Sequence, residues 1–273
     1  NFTNPSGIIA EALFKYSSIR AAGLCNVPIG IIMKAVEYFG CKREEVALDY
    51  IGLNHLSWIR GATVAGRDVS GEMLERFIAE AAEEWKDAAI REGMVAAMRS
   101  LQMPCNGYLQ YFYATGAVLD YLQSKEKTRG EEIIGIEQSL FEKYGQASLD
   151  EKPEELSQRG GAHYSTAAFM LIDAVENDSE DTQIVCCRNN GAIPTFDDDI
   201  SVEVPAIIGK DGATAIPQHA PEPALRGLMQ LVKAYETLTV KAAIEGDRKA
   251  AYQAMLVHPL MPGAVGSKAL LDE

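Results

Sequence analysis

The chain has 273 residues, 47% of them hydrophobic and 23% charged, and a formal net charge of −14. That acidic balance argues against nucleic acid and anionic membrane surfaces, which are met by basic patches, but leaves room for a small anion held by a single arginine. The odd count of five cysteines does not suggest a disulfide framework and fits a reducing cytoplasm. No apolar run approaches a membrane span and no signal-peptide pattern is present, so no membrane partner is expected.

Asn4-Pro5 opens the first helix, with Asn4 a good N-cap and Pro5 a good first residue. Ile9, Ala12, Leu13 and Tyr16 follow at helical spacing. Gly23-Leu24-Cys25-Asn26-Val27-Pro28 precedes an uninterrupted apolar run, Ile29 to Phe39, and Gly40 stops it. Pro at the start and Gly after the end is the asymmetry of a helix. Cys25 and Asn26 then lie just ahead of the helix, where the dipole favours thiolate, the form a metal needs. Val46 to Ile51 reads as a buried strand. Gly52 permits a turn or a close approach, and Asn54-His55 emerges at the strand end. The unit of loop, helix, strand and loop lets Cys25 and His55 converge on one divalent metal. Each also has an ordinary reading, as a small buried hydrophobe and as a satisfied core histidine.

Ile59 to Val64 suggests a strand and residues 65–68 a turn. Residues 71–100 have the density of helix formers and a solvated charged face. Tyr108 to Leu122 reads as helical again, with Tyr108 and Tyr111 at i and i+3, a spacing that equally serves core packing. Arg129 stands beside Lys125, Glu126 and Lys127, in a context that also suits a plain surface charge. A helix is expected over 131–144, a polar loop over 147–158 and a helix over 166–175. Arg159-Gly160-Gly161 between the last two is either an anion loop or helix punctuation. Thr182 to Cys187 and Ile200 to Ile208 read as strands joined through an Asn189-Asn190-Gly191 turn. Ala224 to Glu245 reads as a long amphipathic helix, and Asp247 caps a last helix running to Val257. With no linker or composition shift, residues 1–273 read as one domain.

Taken in order, Asn4-Pro5, the Cys25 run, Gly52-Leu53-Asn54-His55-Leu56-Ser57-Trp58 and Tyr108-Leu109-Gln110-Tyr111 resemble glycoside hydrolase family 4 over nearly the whole chain. That family contains NAD- and manganese-dependent 6-phospho-glucosidases. The resemblance implies an α+β fold like the C-terminal domain of lactate and malate dehydrogenases, helix-rich with a small mixed sheet. It implies Cys25 and His55 as metal ligands, Tyr108 as the catalytic base, and Asn4, Asn26 and Arg129 as substrate-binding residues. Its cofactors would be NAD and Mn2+ or another divalent metal, although the Cys/His pair alone suits zinc or a late first-row metal. The chain carries no G-x-G-x-x-G after a strand, so a Rossmann domain holding NAD is expected outside it. The bland alternative is a complete protein with a trimmed start and no cofactor. A family member would be cytoplasmic, a homodimer or homotetramer, and would act on a phosphorylated disaccharide or β-glucoside.

The chemistry of that family dispenses with the two carboxylates of ordinary glycosidases, and the handling of C2 and C3 by oxidation and elimination explains why a metal and a base suffice. Asn26 cannot act as an acid at neutral pH, whereas the 6-phospho-α-glucosidase branch places aspartate after the metal cysteine. The β branch is therefore expected, with a 6-phospho-α-glucosidase or α-galactosidase of the same family as the alternative. Outside the family remain a Cys25–His55 thiol hydrolase, for which no oxyanion hole is evident, and a non-catalytic binding or oligomerisation module.

Overall fold

The computed structural model describes residues 4–159 and 163–273. Two helices, α1 (Ser6–Tyr16) and α2 (Asn26–Phe39), precede a hairpin of β1 (Val46–Leu53) and β2 (Leu56–Val64), to which β3 (Arg67–Asp68) adds an edge. A helical stretch follows: α3 (Ser70–Ala79), α4 (Ala81–Glu84), α5 (Ala88–Leu101), α6 (Gln110–Tyr113), α7 (Thr115–Gln123), α8 (Arg129–Tyr144), α9 (Leu156–Arg159) and α10 (Tyr164–Asn177). A second sheet is formed by β4 (Asp181–Arg188), β5 (Ser201–Gly209) and β6 (Gly212–Ala215), and α11 (Pro223–Glu245), α12 (Arg248–Val257) and α13 (Gly263–Asp272) close the chain.

The fold is α+β and helix-rich, as expected. Where a single small mixed sheet was expected, the strands among the described residues form two three-stranded sheets with antiparallel pairings. The sheets pack on one another through β1 and β5. One core runs through both, with Ile51, Leu53 and Trp58 meeting Met94, Met98, Val204 and Ile208, each at most 1% exposed. Burial of this kind contributes about 1.5–3 kcal/mol per large apolar side chain.

Several expected boundaries move for identifiable reasons. Helix α1 begins at Ser6, with Pro5 in extended backbone as its N-cap and no side-chain cap. Asn4 is therefore not the cap; its side chain hydrogen-bonds the Tyr164 hydroxyl instead. The long helix over 71–100 is three helices. Trp85 turns into the core, 6% exposed, and Asp87 restarts the chain by accepting from the backbone N–H groups of Ala89 and Ile90. The expected helix over 108–122 is a 3-10 turn followed by α6 and α7. Gly40 ends α2 in the left-handed region, and Asp247 caps α12 as its sequence position suggests.

A buried ionic cluster ties α1 to α11. Lys233 pairs with Glu11 and Glu236, and Glu11 also accepts from Thr237 and from the backbone N–H of Ser201. Removing one member would strand the others without water, a loss of about 3–5 kcal/mol.

Candidate active site

Cys25 reaches its place through backbone pairing. Gly23 exchanges two 2.8 Å hydrogen bonds with Cys186 on β4, so the segment leading to α2 lies along that sheet. A Cβ on Gly23 would come within 2.8 Å of the Cys186 Cβ, so only glycine allows this approach. Cys25 is then the N-cap of α2, 3% exposed, and Asn26 is the first helical residue. The backbone N–H groups of Asn26 and Val27 and the Asn54 side chain lie near the sulfur and act in the sense that favours its charged form.

His55 sits in the turn of the β1–β2 hairpin. Leu53 pairs with Leu56, leaving Asn54 and His55 as the loop. A Cβ on Gly52 would lie 2.3 Å from the Leu56 carbonyl oxygen, and this contact fixes glycine one pair below the turn. His55 itself takes the left-handed conformation, φ 65°, which is uncommon for a side chain-bearing residue.

Tyr108 is brought alongside by the segment before it. Residues 104–106 add to the edge of β2: the Ile59 N–H donates to Pro104, and the Asn106 N–H donates to Ser57. Asn106, 1% exposed, donates from Nδ2 to Ser57 Oγ at 3.0 Å and accepts the Tyr108 N–H on Oδ1 at 3.0 Å. The Tyr108 ring is stacked on His55, with centroids 4.2 Å apart and planes 23° from parallel, and Tyr111 stacks beyond it at 6.5 Å. Tyr108 remains 43% exposed, so one edge of the site faces solvent.

The structure thus brings together Asn4, Cys25, Asn26, His55 and Tyr108. Asn4 and the Asn26 N–H both hydrogen-bond the Tyr164 hydroxyl, which lies in the field of Cys25 and Tyr108. Arg129 is held by other partners. It opens α8 with its side chain 59% exposed, paired with Glu132 at 3.0 Å and donating to the Gln158 carbonyl. Asn189 is spent on its own loop, donating to the carbonyls of Ile193, Phe196 and Asp197. Gly160, Gly161 and Ala162, and the side chain of Arg159, lie outside the described residues. A cleft of about 1250 Å³, lined by Arg43, Asp49, Arg60, Asp181 and Gln218, carries none of the expected site residues.

The electrostatics correct one expectation. Burial, followed by the field of Glu203, pushes the Cys25 thiol up to about 12, although the helix-start N–H groups act in the opposite sense. The helix start alone does not make a thiolate here. Burial holds His55 below its ordinary value, leaving the neutral imidazole that coordinates metals. Burial, then Cys25, Tyr111 and Glu84, raise Tyr108. The donor set fits a divalent metal of open coordination: one buried sulfur at a helix start, one neutral imidazole and an exposed side. Among the described residues no group of three or more His, Cys, Asp or Glu side chains forms a closed metal cage.

Sequence reasoning missed Glu203 and Tyr164. Glu203 accepts from the Tyr50 hydroxyl at 2.6 Å and from Asn54 Nδ2 at 3.1 Å, and burial raises its carboxyl to about 7. A lone glutamate in the apolar run Val202-Glu203-Val204 was the available sign. Tyr164 lay at the edge of a glycine-rich run that had no assigned geometry.

A family model described as the family 4 glycosyl hydrolase C-terminal domain matches residues 50–261. The chain belongs to glycosyl hydrolase family 4. This family 4 chain is 37% identical, over all of its length and 63% of the relative's, to a probable 6-phospho-beta-glucosidase of Bacillus subtilis. It is 29% identical, over 64% of the relative, to the 6-phospho-alpha-glucosidase of Leptotrichia buccalis. Its structure superposes on the 6-phospho-beta glucosidase of Thermotoga maritima, solved with manganese, NAD+ and glucose-6-phosphate, with a TM-score of 0.89 and 37% identity, covering all of this chain and 64% of that one. The family 4 chain therefore spans less than two thirds of the length of these relatives.

Proposed function

We propose that this chain is the metal- and substrate-binding domain of a 6-phospho-β-glucosidase, working with a separate NAD-binding domain. What supports the reading is the stacking of His55 on the half-exposed Tyr108 and the nearness of Cys25 to Tyr108, in a chain whose relatives at 36–37% identity are 6-phospho-β-glucosidases. Asn26 favours the β branch over the α branch, since an amide cannot protonate a leaving group.

Cys25 and His55 would hold the metal, Mn2+ by analogy with the Thermotoga enzyme. When bound, NAD takes up and returns hydride at the sugar C3, and the metal polarises the C2 and C3 oxygens. The residues of this chain do the rest. Tyr108 Oη receives the proton from C2, acting as general base. Its surroundings keep the phenol protonated, and a cation held by Cys25 and His55 would shift it towards the anion. Asn4 and Asn26 line the same point and would orient the sugar through hydrogen bonds. Arg129 would receive the 6-phosphate through its planar fork, exchanging Glu132 for the substrate.

No helix among the described residues is long and apolar enough to cross a membrane. We place the enzyme in the cytoplasm as a homo-oligomer, in keeping with five free cysteines and an acidic surface. The test is hydrolysis of p-nitrophenyl 6-phospho-β-glucoside by the full-length protein. Turnover should require both NAD and a divalent metal and should exceed that of the α anomer. Undiminished turnover after chelation and NAD removal would overturn the reading.

A further inference from the structure

We infer that Glu203 is a positioning residue for the metal pair, acting through the Asn54 side chain that its carboxylate holds in the turn beside His55. The inference rests on the reading that Cys25 and His55 hold a divalent metal.

Glu203 lies on β5, 1% exposed, with Oε1 accepting from Asn54 Nδ2 at 3.1 Å and facing Cys186 Sγ at 3.7 Å. Among the described residues no lysine or arginine pairs with it; its partners are Tyr50, Asn54 and Cys186. A buried carboxylate without a cation is costly, and such groups persist where they are fully hydrogen-bonded or where a charge is to be met. The Asn54 side chain also lies near Cys25, and its backbone leads directly into His55. An amide presents N–H on one side and oxygen on the other. Acceptance by Glu203 takes one Nδ2 hydrogen and so fixes the rotation of the amide within the turn. One carboxylate thereby sets the amide near Cys25 and the entry into the left-handed turn at His55.

A second arm leaves the other oxygen. Glu203 Oε2 accepts from Tyr50 Oη at 2.6 Å, Tyr50 Oη meets Ser57 Oγ at 2.5 Å, and Asn106 donates to that same Oγ while holding the Tyr108 N–H. The base and the metal pair thus hang from opposite oxygens of the same buried group. Nearest-neighbour partners of metal ligands are typically worth about 10–100-fold in metal affinity.

The experiment is a Co2+ titration of the full-length protein without sugar, read by the sulfur-to-cobalt charge-transfer band. Wild type should show the band. Glu203→Leu, similar in size but without an acceptor, should weaken binding ~10–100-fold. Glu203→Gln, which retains one acceptor oxygen, should recover part of that loss. In an Asn54→Ala background, either Glu203 change should cost little more than Asn54→Ala alone, because the path is already cut. Unchanged affinity in both Glu203 variants, or losses that add fully to that of Asn54→Ala, would overturn the inference. A lowered melting temperature with wild-type affinity would do the same, since that is the mark of a purely structural role. If Glu203→Leu does not fold, the Glu203→Gln and Asn54→Ala cycle decides alone. Absence of the band in folded wild type would instead overturn the metal reading, and the inference with it.

Discussion

The imidazole of His55 lies flat on the phenol ring of Tyr108, centroids 4.2 Å apart, although the two residues come from a hairpin turn and a 3-10 turn far apart in sequence. The stack fixes where the phenol oxygen stands relative to the imidazole proposed to ligate the metal. A base and a metal must act on adjacent sugar carbons, so this relationship is the geometric centre of the proposed chemistry.

Tyr108→Phe keeps the ring and its stack and removes only the oxygen. Exchange of the substrate C2 hydrogen with deuterated solvent should slow by roughly 10²–10⁴-fold in the full-length enzyme. Metal affinity should stay near wild type. Wild-type exchange in the variant would return Tyr108 to a packing role.

Metal affinity should rise with pH. The Cys25 thiol is pushed up to about 12, so at neutral pH the metal must displace its proton. His55 is held below its ordinary value, so it contributes no second proton above neutrality. The apparent association constant should increase about tenfold per pH unit between about pH 7 and 9. Calorimetry in buffers of different ionisation enthalpy would count the protons released; a pH-independent constant would remove Cys25 from the ligand set.

Glu203 gives a pH signature of its own in the metal-free protein. Its carboxyl is raised from 4.5 to about 7, so the folded state holds a proton that the unfolded state has lost over that interval. A raised group stabilises most below the unfolded value, and the contribution is lost as pH rises through the folded one. Wild type should therefore lose ~3 kcal/mol relative to Glu203→Gln between about pH 4.5 and 7.5. Urea denaturation of both proteins across that range checks the sign; a flat difference would contradict it.

Arg129→Ala should hurt phosphorylated substrates far more than plain glucosides. A buried Arg–phosphate pair costs roughly 2–5 kcal/mol to break, or about 30- to several-thousand-fold in kcat/KM. In this structure the arginine is 59% exposed and paired with Glu132, so the effect depends on the substrate drawing it away. Equal fold-changes for phosphorylated and unphosphorylated p-nitrophenyl glucosides would leave Arg129 as a surface charge.

Much of this site was legible in the sequence. Gly40 marked the end of α2 and Pro28 its first turn, although the helix starts two residues earlier, at Asn26; Gly52 announced a close approach, since a Cβ there would lie 2.3 Å from the Leu56 oxygen. The helix breaks near Trp85 and Ala114 were not legible, because local propensity there is helical and tertiary burial overrides it. The charge state of Cys25 was misjudged for a similar reason. The helix dipole is a local feature visible in sequence, whereas burial and Glu203 arrive from β5, across the fold. Glu203 and Tyr164 act at the site only through such non-local meetings, and sequence spacing carries no trace of them.

The most direct measurement is anomalous diffraction from crystals of the full-length protein grown with Mn2+, NAD and glucose-6-phosphate. One manganese peak should lie between Cys25 Sγ and the His55 imidazole, beside the Tyr108 hydroxyl, with the sugar completing its coordination. A well-ordered sugar with no manganese at that point, or manganese bound by other side chains, would contradict the assignment of Cys25 and His55 as the metal pair.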